Sequence, residues 1–142
     1  PKKIRWGLSY ACWYWFLQPK SHDQFILPYN CSSPISNKDR DFNNVDDIWQ
    51  EISLIVDAHD QKRTLGQELW YLVPLFANPQ YLLDESHFNL INEYHYVKEY
   101  HIPLGRTLDE TDAIKLDHFT IIKNELASVI KHEQEKHGRS KS

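Results

Sequence analysis

Residues 6–17 read Trp-Gly-Leu-Ser-Tyr-Ala-Cys-Trp-Tyr-Trp-Phe-Leu, apolar nearly throughout, so the run belongs inside a fold as a buried strand or a buried helix. Periodicity does not choose between the two, because no polar face interrupts the pattern. Trp and Tyr lean toward a strand; the helical character of the rest of the chain leans toward a helix, and the type of this segment stays open. Trp13, Tyr14, Trp15 and Phe16 cannot all point inward from one element. Part of that cluster is therefore exposed, or covered by residues 18–44. Core packing is its leading role, and a base-stacking platform beside Lys2, Lys3 and Arg5 is the competing one. A run of this length is too short to span a bilayer, which takes about 20 residues. Its Trp and Tyr content and the lack of a small-x-small cleavage site also argue against a secretory signal.

The remainder reads as helix. Asn44 is a good N-cap, with Asp46 and Asp47 in the first turn. Val45, Ile48, Trp49, Ile52, Ile55, Val56 and His59 then recur at 3–4 residue spacing, which predicts a helix ending near Lys62. Thr64 with Gln67 reads as a capping box for a second helix that Pro74 kinks or shortens. A short helical turn is expected at 79–83, and a weaker amphipathic helix at 85–100. Thr107 with Glu110 is another capping box. Ile114, His118, Ile121, Ile122, Glu125, Leu126, Val129 and Ile130 trace one face of a long helix beyond it, with residues 108–133 the core of that element. Pro28, Pro34 and the Ser, Asn and Asp content of 30–44 predict an irregular connection over 28–44. The reading is all-α: one domain over 1–142, a compact bundle of about four to five helices, a helical body over 45–137, and a frayed tail over 138–142.

The chain of 142 residues carries a net charge of −4, unevenly spread. Residues 45–138 hold 8 basic side chains against 17 acidic ones, a net of −9, whereas the first 44 residues are mildly basic. An acidic body repels a phosphate backbone, so nucleic acid is disfavoured as a partner. Cys12 and Cys31 do not make a disulfide framework, and two reduced thiols in a cytoplasmic protein are expected.

With four glycines, the chain has no Gly-rich nucleotide loop and no nucleophile elbow. Asp84-Glu85-Ser86-His87 approaches the di-iron Glu-x-x-His motif in a single copy, with Asp in place of Glu. His132 and His137 stand five residues apart, so their imidazoles diverge by about 140° around a helix and cannot share a metal. His59-Asp60, at the end of an apolar helical run, resembles the His-Asp pair of HD-type metal phosphohydrolases. That resemblance implies a metal site in which His22 supplies an earlier ligand and Asp109, Asp112 or Asp117 a later one, activating a bound water. It spans two adjacent residues, and Gln61 and Lys62 stand where a Gly often follows. The structural alternative makes His59 a hydrogen-bonded core histidine and Asp60 a solvated carboxylate.

Tyr94, His95, Tyr96, Lys98, Glu99, Tyr100 and His101 concentrate aromatic and imidazole groups in one short segment. His95 and Glu99 share a helix face. Tyr94, Tyr96 and Tyr100 do not: at 100° per residue they fall at about 0°, 200° and 240°, so at least one points away from the core. A small, acidic, Gly-poor helical chain of this kind suits stoichiometric protein binding of the immunity, antitoxin, inhibitor or adaptor type. Tyr94, His95, Tyr96, Glu99 and Tyr100 are then the candidate binding residues, the partner another protein with a basic surface. No cofactor, metal or membrane is expected, and catalysis is the lesser reading, in the HD-like form.

Overall fold

The computed structural model describes residues 2–17, 25–103 and 113–141. In chain order these form α1 (Lys2–Leu17), β1 (Tyr29–Ser32), β2 (Asp39–Phe42), α2 (Val45–Ala58), α3 (Leu65–Leu72), α4 (Glu85–Tyr100) and α5 (Ala113–Lys141). The fold is mostly helical, as the sequence indicates. Short 3-10 turns at Val73–Leu75 and Pro79–Tyr81 join α3 to α4, the first placing Pro74 where a helix must tighten. Among the described residues no helix is long and apolar enough to cross a membrane.

The apolar run is a helix, and it is the axis of the molecule. Seven consecutive residues of α1, Gly7 to Trp13, are buried, which is why the run shows no period: a helix covered on every side has no solvent face. It packs against α3, α4 and α5. One apolar cluster joins Tyr10 to Ile48, Ile52 and Ile55 of α2, Leu69 of α3, and Phe42 and Phe76. A second joins Leu8, Ala11 and Cys12 to Ile91 of α4 and to Phe119, Ile122 and Leu126 of α5. Two glycines permit this density. A Cβ on Gly66 would stand 2.5 Å from the Ser9 carbonyl oxygen, and one on Gly7 would stand 2.6 Å from the His87 ring.

Of the four aromatic residues at the end of α1, Trp13 is buried, and Tyr14 packs against Tyr10 and Phe88. Trp15 stacks on His95, and Phe16 is exposed. Three of the four rings are thus committed to protein contacts, which leaves little of a base-stacking platform.

The stretch expected to be an irregular connection over 28–44 instead holds a β-hairpin. Its strands pair antiparallel, with Tyr29 opposite Phe42 and Ser32 opposite Asp39. Asn37, at a left-handed φ of 60°, closes the turn, and Ser33 N–H donates to the Lys38 carbonyl at 2.9 Å. The prolines lie just outside the strands, so they punctuate the hairpin rather than forbid it. Tyr29, Phe42 and Phe76 stack in series and anchor it to the core. Glu51 of α2 is fully buried beneath it, accepting from Ser33 Oγ and pairing with Arg40 at 3.2 Å. A buried carboxylate held by two partners fixes how the hairpin sits on α2.

The helix starts obey their caps. Asn44 and Asp47 form a reciprocal capping box on α2. Thr64 caps α3, but Gln67 does not return the bond; its side-chain oxygen lies 3.5 Å from Ser128 Oγ. α2 stops at Ala58 rather than near Lys62. His59 adopts an extended backbone, Gln61 is left-handed at φ 64°, and Asp60 accepts from the Lys62 amide at 3.1 Å. Side chains that bond their own backbone offer the chain an alternative to another helical turn. Thr107 and Glu110 lie outside the described residues. At its other end, α5 remains helical past Gly138 to Lys141, where the sequence suggests a frayed tail. Neither Cys12 nor Cys31 is in a disulfide; Cys12 is buried.

Candidate functional site

The near-motif Asp84-Glu85-Ser86-His87 is a helix start. Asp84 caps α4, and the Asp84 amide donates to His87 Nδ1 at 3.1 Å, so the His stands where a capping box usually has Glu or Gln. His87 is buried, and burial lowers its pKa below the usual 6.5; His118 adds to this and the Asp84 charge opposes it. Protonation would place a hydrogen on the accepting nitrogen and break the cap. Between 6.5 and the lower folded value the unfolded chain binds more protons, so His87's contribution is complete above about 6.5 and is lost as pH falls. The urea midpoint is expected to drop between about pH 7.5 and pH 5.5 in the wild type, and to drop less in His87→Gln, which keeps the box without titrating.

From this cap, α4 sorts the candidate residues into two sets. Tyr94 and His95 turn toward the protein. Tyr94 meets Phe119 edge-on at 5.6 Å, and His95 stacks on Trp15 at 5.0 Å. Burial lowers the His95 pKa, Lys98 lowers it further and Glu99 pulls it back up. His95 Nε2 is buried without a hydrogen-bond partner among the described residues, so the His95–Glu99 spacing does not produce a bond through that nitrogen. Tyr96, Glu99 and Tyr100 turn outward. Tyr96 and Tyr100 are 59% and 60% exposed, and their rings pack on one another at 4.7 Å. Being four residues apart on the helix, the two rings form one aromatic surface. Exposed Ile102 comes directly after, once His101 has ended the helix in a left-handed cap.

The described residues of the HD-like reading, His59, Asp60 and Asp117, each have other partners. His22, Asp109 and Asp112 lie outside the described residues. Asp117 pairs with Arg5 at 3.1 Å. His59 is not in the core: it is half-buried at the end of α2, and its Nε2 bonds the Arg63 carbonyl at 2.6 Å. Asp60 is exposed and spends one oxygen on its own turn. Among the described residues no group of three His, Cys, Asp or Glu is placed to hold a metal. His132 and His137 also part ways. His132 packs edge-on against Trp13 with Nδ1 3.4 Å from Tyr71 Oη, while His137 faces Glu133.

A second polar site is one that sequence reasoning misses. Glu125 is 5% exposed, midway along α5. Trp13 Nε1 donates to one carboxylate oxygen at 3.0 Å, and the Gly66 amide, in the first turn of α3, donates to the other at 3.0 Å. Burial raises its pKa; hydrogen bonds from Thr64, Trp13 and Gly66, and the nearby His59, oppose that rise. Glu125 therefore ties three helices together: it fills the positive end of α3 and satisfies the buried indole of α1. It also lines a cleft of about 980 Å³. The cleft is lined by the loop between α2 and α3, with His59, Lys62 and Arg63, by α5, with Lys131 and His132, and by Arg5 of α1. The signal in the sequence is a Glu within the apolar stripe of the last helix. No family model, curated protein or solved structure matches this chain.

Proposed function

We propose that this protein acts by stoichiometric binding of another protein, in the manner of an immunity protein, antitoxin, inhibitor or adaptor, through the outward face of α4. The observation that carries the reading is the exposed Tyr96–Tyr100 pair, whose rings pack on one another at a tilt. Paired tyrosines present a large, stiff, amphipathic surface at low entropic cost, and such residues are enriched among interface anchors. Their setting supports the choice of partner. Asp84, Glu85, Glu93 and Glu99 stand on or at the start of α4, with Lys98 its one cation, on a body whose sequence carries −9. A field of that sign steers a basic surface toward the site and weakens with added salt.

Capture of the tagged protein from its native cell tests this. A single protein is expected to co-elute in equal amount at low salt and to fall away as salt is raised. Recovery of nucleic acid, abolished by neutralising Lys2, Lys3 and Arg5, would replace this reading with the platform at the end of α1.

A further inference from the structure

The geometry points to a binding site for a small organic phosphate in the cleft between the α2–α3 loop and α5. The cleft is anomalous in an acidic chain: Arg5, Lys62, Arg63 and Lys131 line it against the carboxylates of Glu125 and Glu135. Two of the cations are already engaged, Arg5 with Asp117 at 3.1 Å and Arg63 with Glu68 at 2.7 Å. Lys62 of the loop and Lys131 of α5 both line the space, both exposed and with no ion-pair partner among the described residues. Glu125 directs its two oxygens to Trp13 Nε1 and the Gly66 amide rather than to either ammonium group.

The loop that presents Lys62 is held in shape rather than left to sample. Gln61 sits at φ 64°, a conformation that costs a non-glycine residue energy and persists only when its surroundings enforce it. The bonds from His59 Nε2 to the Arg63 carbonyl and from the Lys62 amide to Asp60 supply that enforcement. The backbone that carries Lys62 is fixed in this way, so the loop itself loses little freedom on binding an anion. On α5, His132 also lines the cleft, with Nδ1 3.4 Å from Tyr71 Oη. Two unpaired ammonium groups and an imidazole lining one cleft match the several oxygens of a phosphate better than a single carboxylate. The volume is far larger than one phosphate and sits at the upper end of the range for small-molecule sites, which points to an organic ester. This site is separate from the Tyr96–Tyr100 face, so the two readings stand or fall independently.

Isothermal titration with pyrophosphate, ATP and citrate tests the inference. Pyrophosphate and ATP are expected to bind, and citrate to bind at least about tenfold more weakly. Lys62→Glu and Lys131→Glu, both surface changes, should each weaken the phosphate ligands by about tenfold or more, while Lys123→Glu, exposed on α5 outside the cleft, leaves them unchanged. No heat with either phosphate, equal binding of citrate, or equal losses in all three variants would overturn it.

Discussion

Trp13→Ala is expected to cost roughly 3–5 kcal/mol of stability, the largest effect of any single truncation in this molecule. The indole is fully buried in the central helix and packs against Trp70 and His132, so its removal opens a cavity that three helices would have to move to fill. For a chain of this size that is a fall in melting temperature on the order of 10 °C, read by calorimetry. Trp13→Phe isolates the second part of the loss. It keeps most of the ring volume but removes the N–H that Glu125 accepts, at a cost of about 1–3 kcal/mol. That cost has a pH signature. Burial already raises the Glu125 pKa above the usual 4.5, so the stability tied to its protonated form is complete below 4.5 and is lost as pH rises through the folded value. Losing a donor to the charged form raises the folded value further. The deficit of Trp13→Phe relative to wild type should therefore grow from about pH 4.5 toward neutrality.

The other large effect is on binding. Tyr96→Ala and Tyr100→Ala are each expected to weaken the partner complex by at least about tenfold, in keeping with about 2 kcal/mol for an interface anchor. Because the rings pack on one another, the two losses should not add: removing either also unsettles the other. Neither side chain is part of an apolar core cluster, so melting temperatures should change little. Tyr94→Ala is the informative contrast. Its ring packs on Phe119, so that change should lower stability as well as binding.

How much of this fold is legible in the sequence depends on the range of the interactions concerned. The starts of α2 and α3 are set by caps within four residues that the sequence displays directly, whereas the cap that starts α4 at Asp84 reads in the sequence as a metal near-motif. The angular argument for Tyr94, Tyr96 and Tyr100 is equally local: the first faces inward and the other two share the outer face. The end of α2 falls short of its periodic stripe because His59 and Asp60 turn their side chains onto the loop, a choice that composition and periodicity do not record. The hairpin is masked by flanking prolines and by strands of four residues, too short for alternation to register. α1 has no period because burial on all sides removes the contrast that periodicity measures. Glu125 belongs by spacing to the apolar stripe of α5, and it does lie on the buried face. What makes it a carboxylate rather than an aliphatic residue is Trp13, 112 positions away.

Hydroxyl-radical footprinting of the free and partner-bound protein tests the central claim most directly, because it reads side-chain exposure at Tyr96 and Tyr100 themselves. Oxidation of both rings is expected to fall sharply in the complex, while exposed Phe16 and Tyr71 react as before. Protection of Phe16 with Tyr96 and Tyr100 still fully reactive would contradict the assignment of the α4 face.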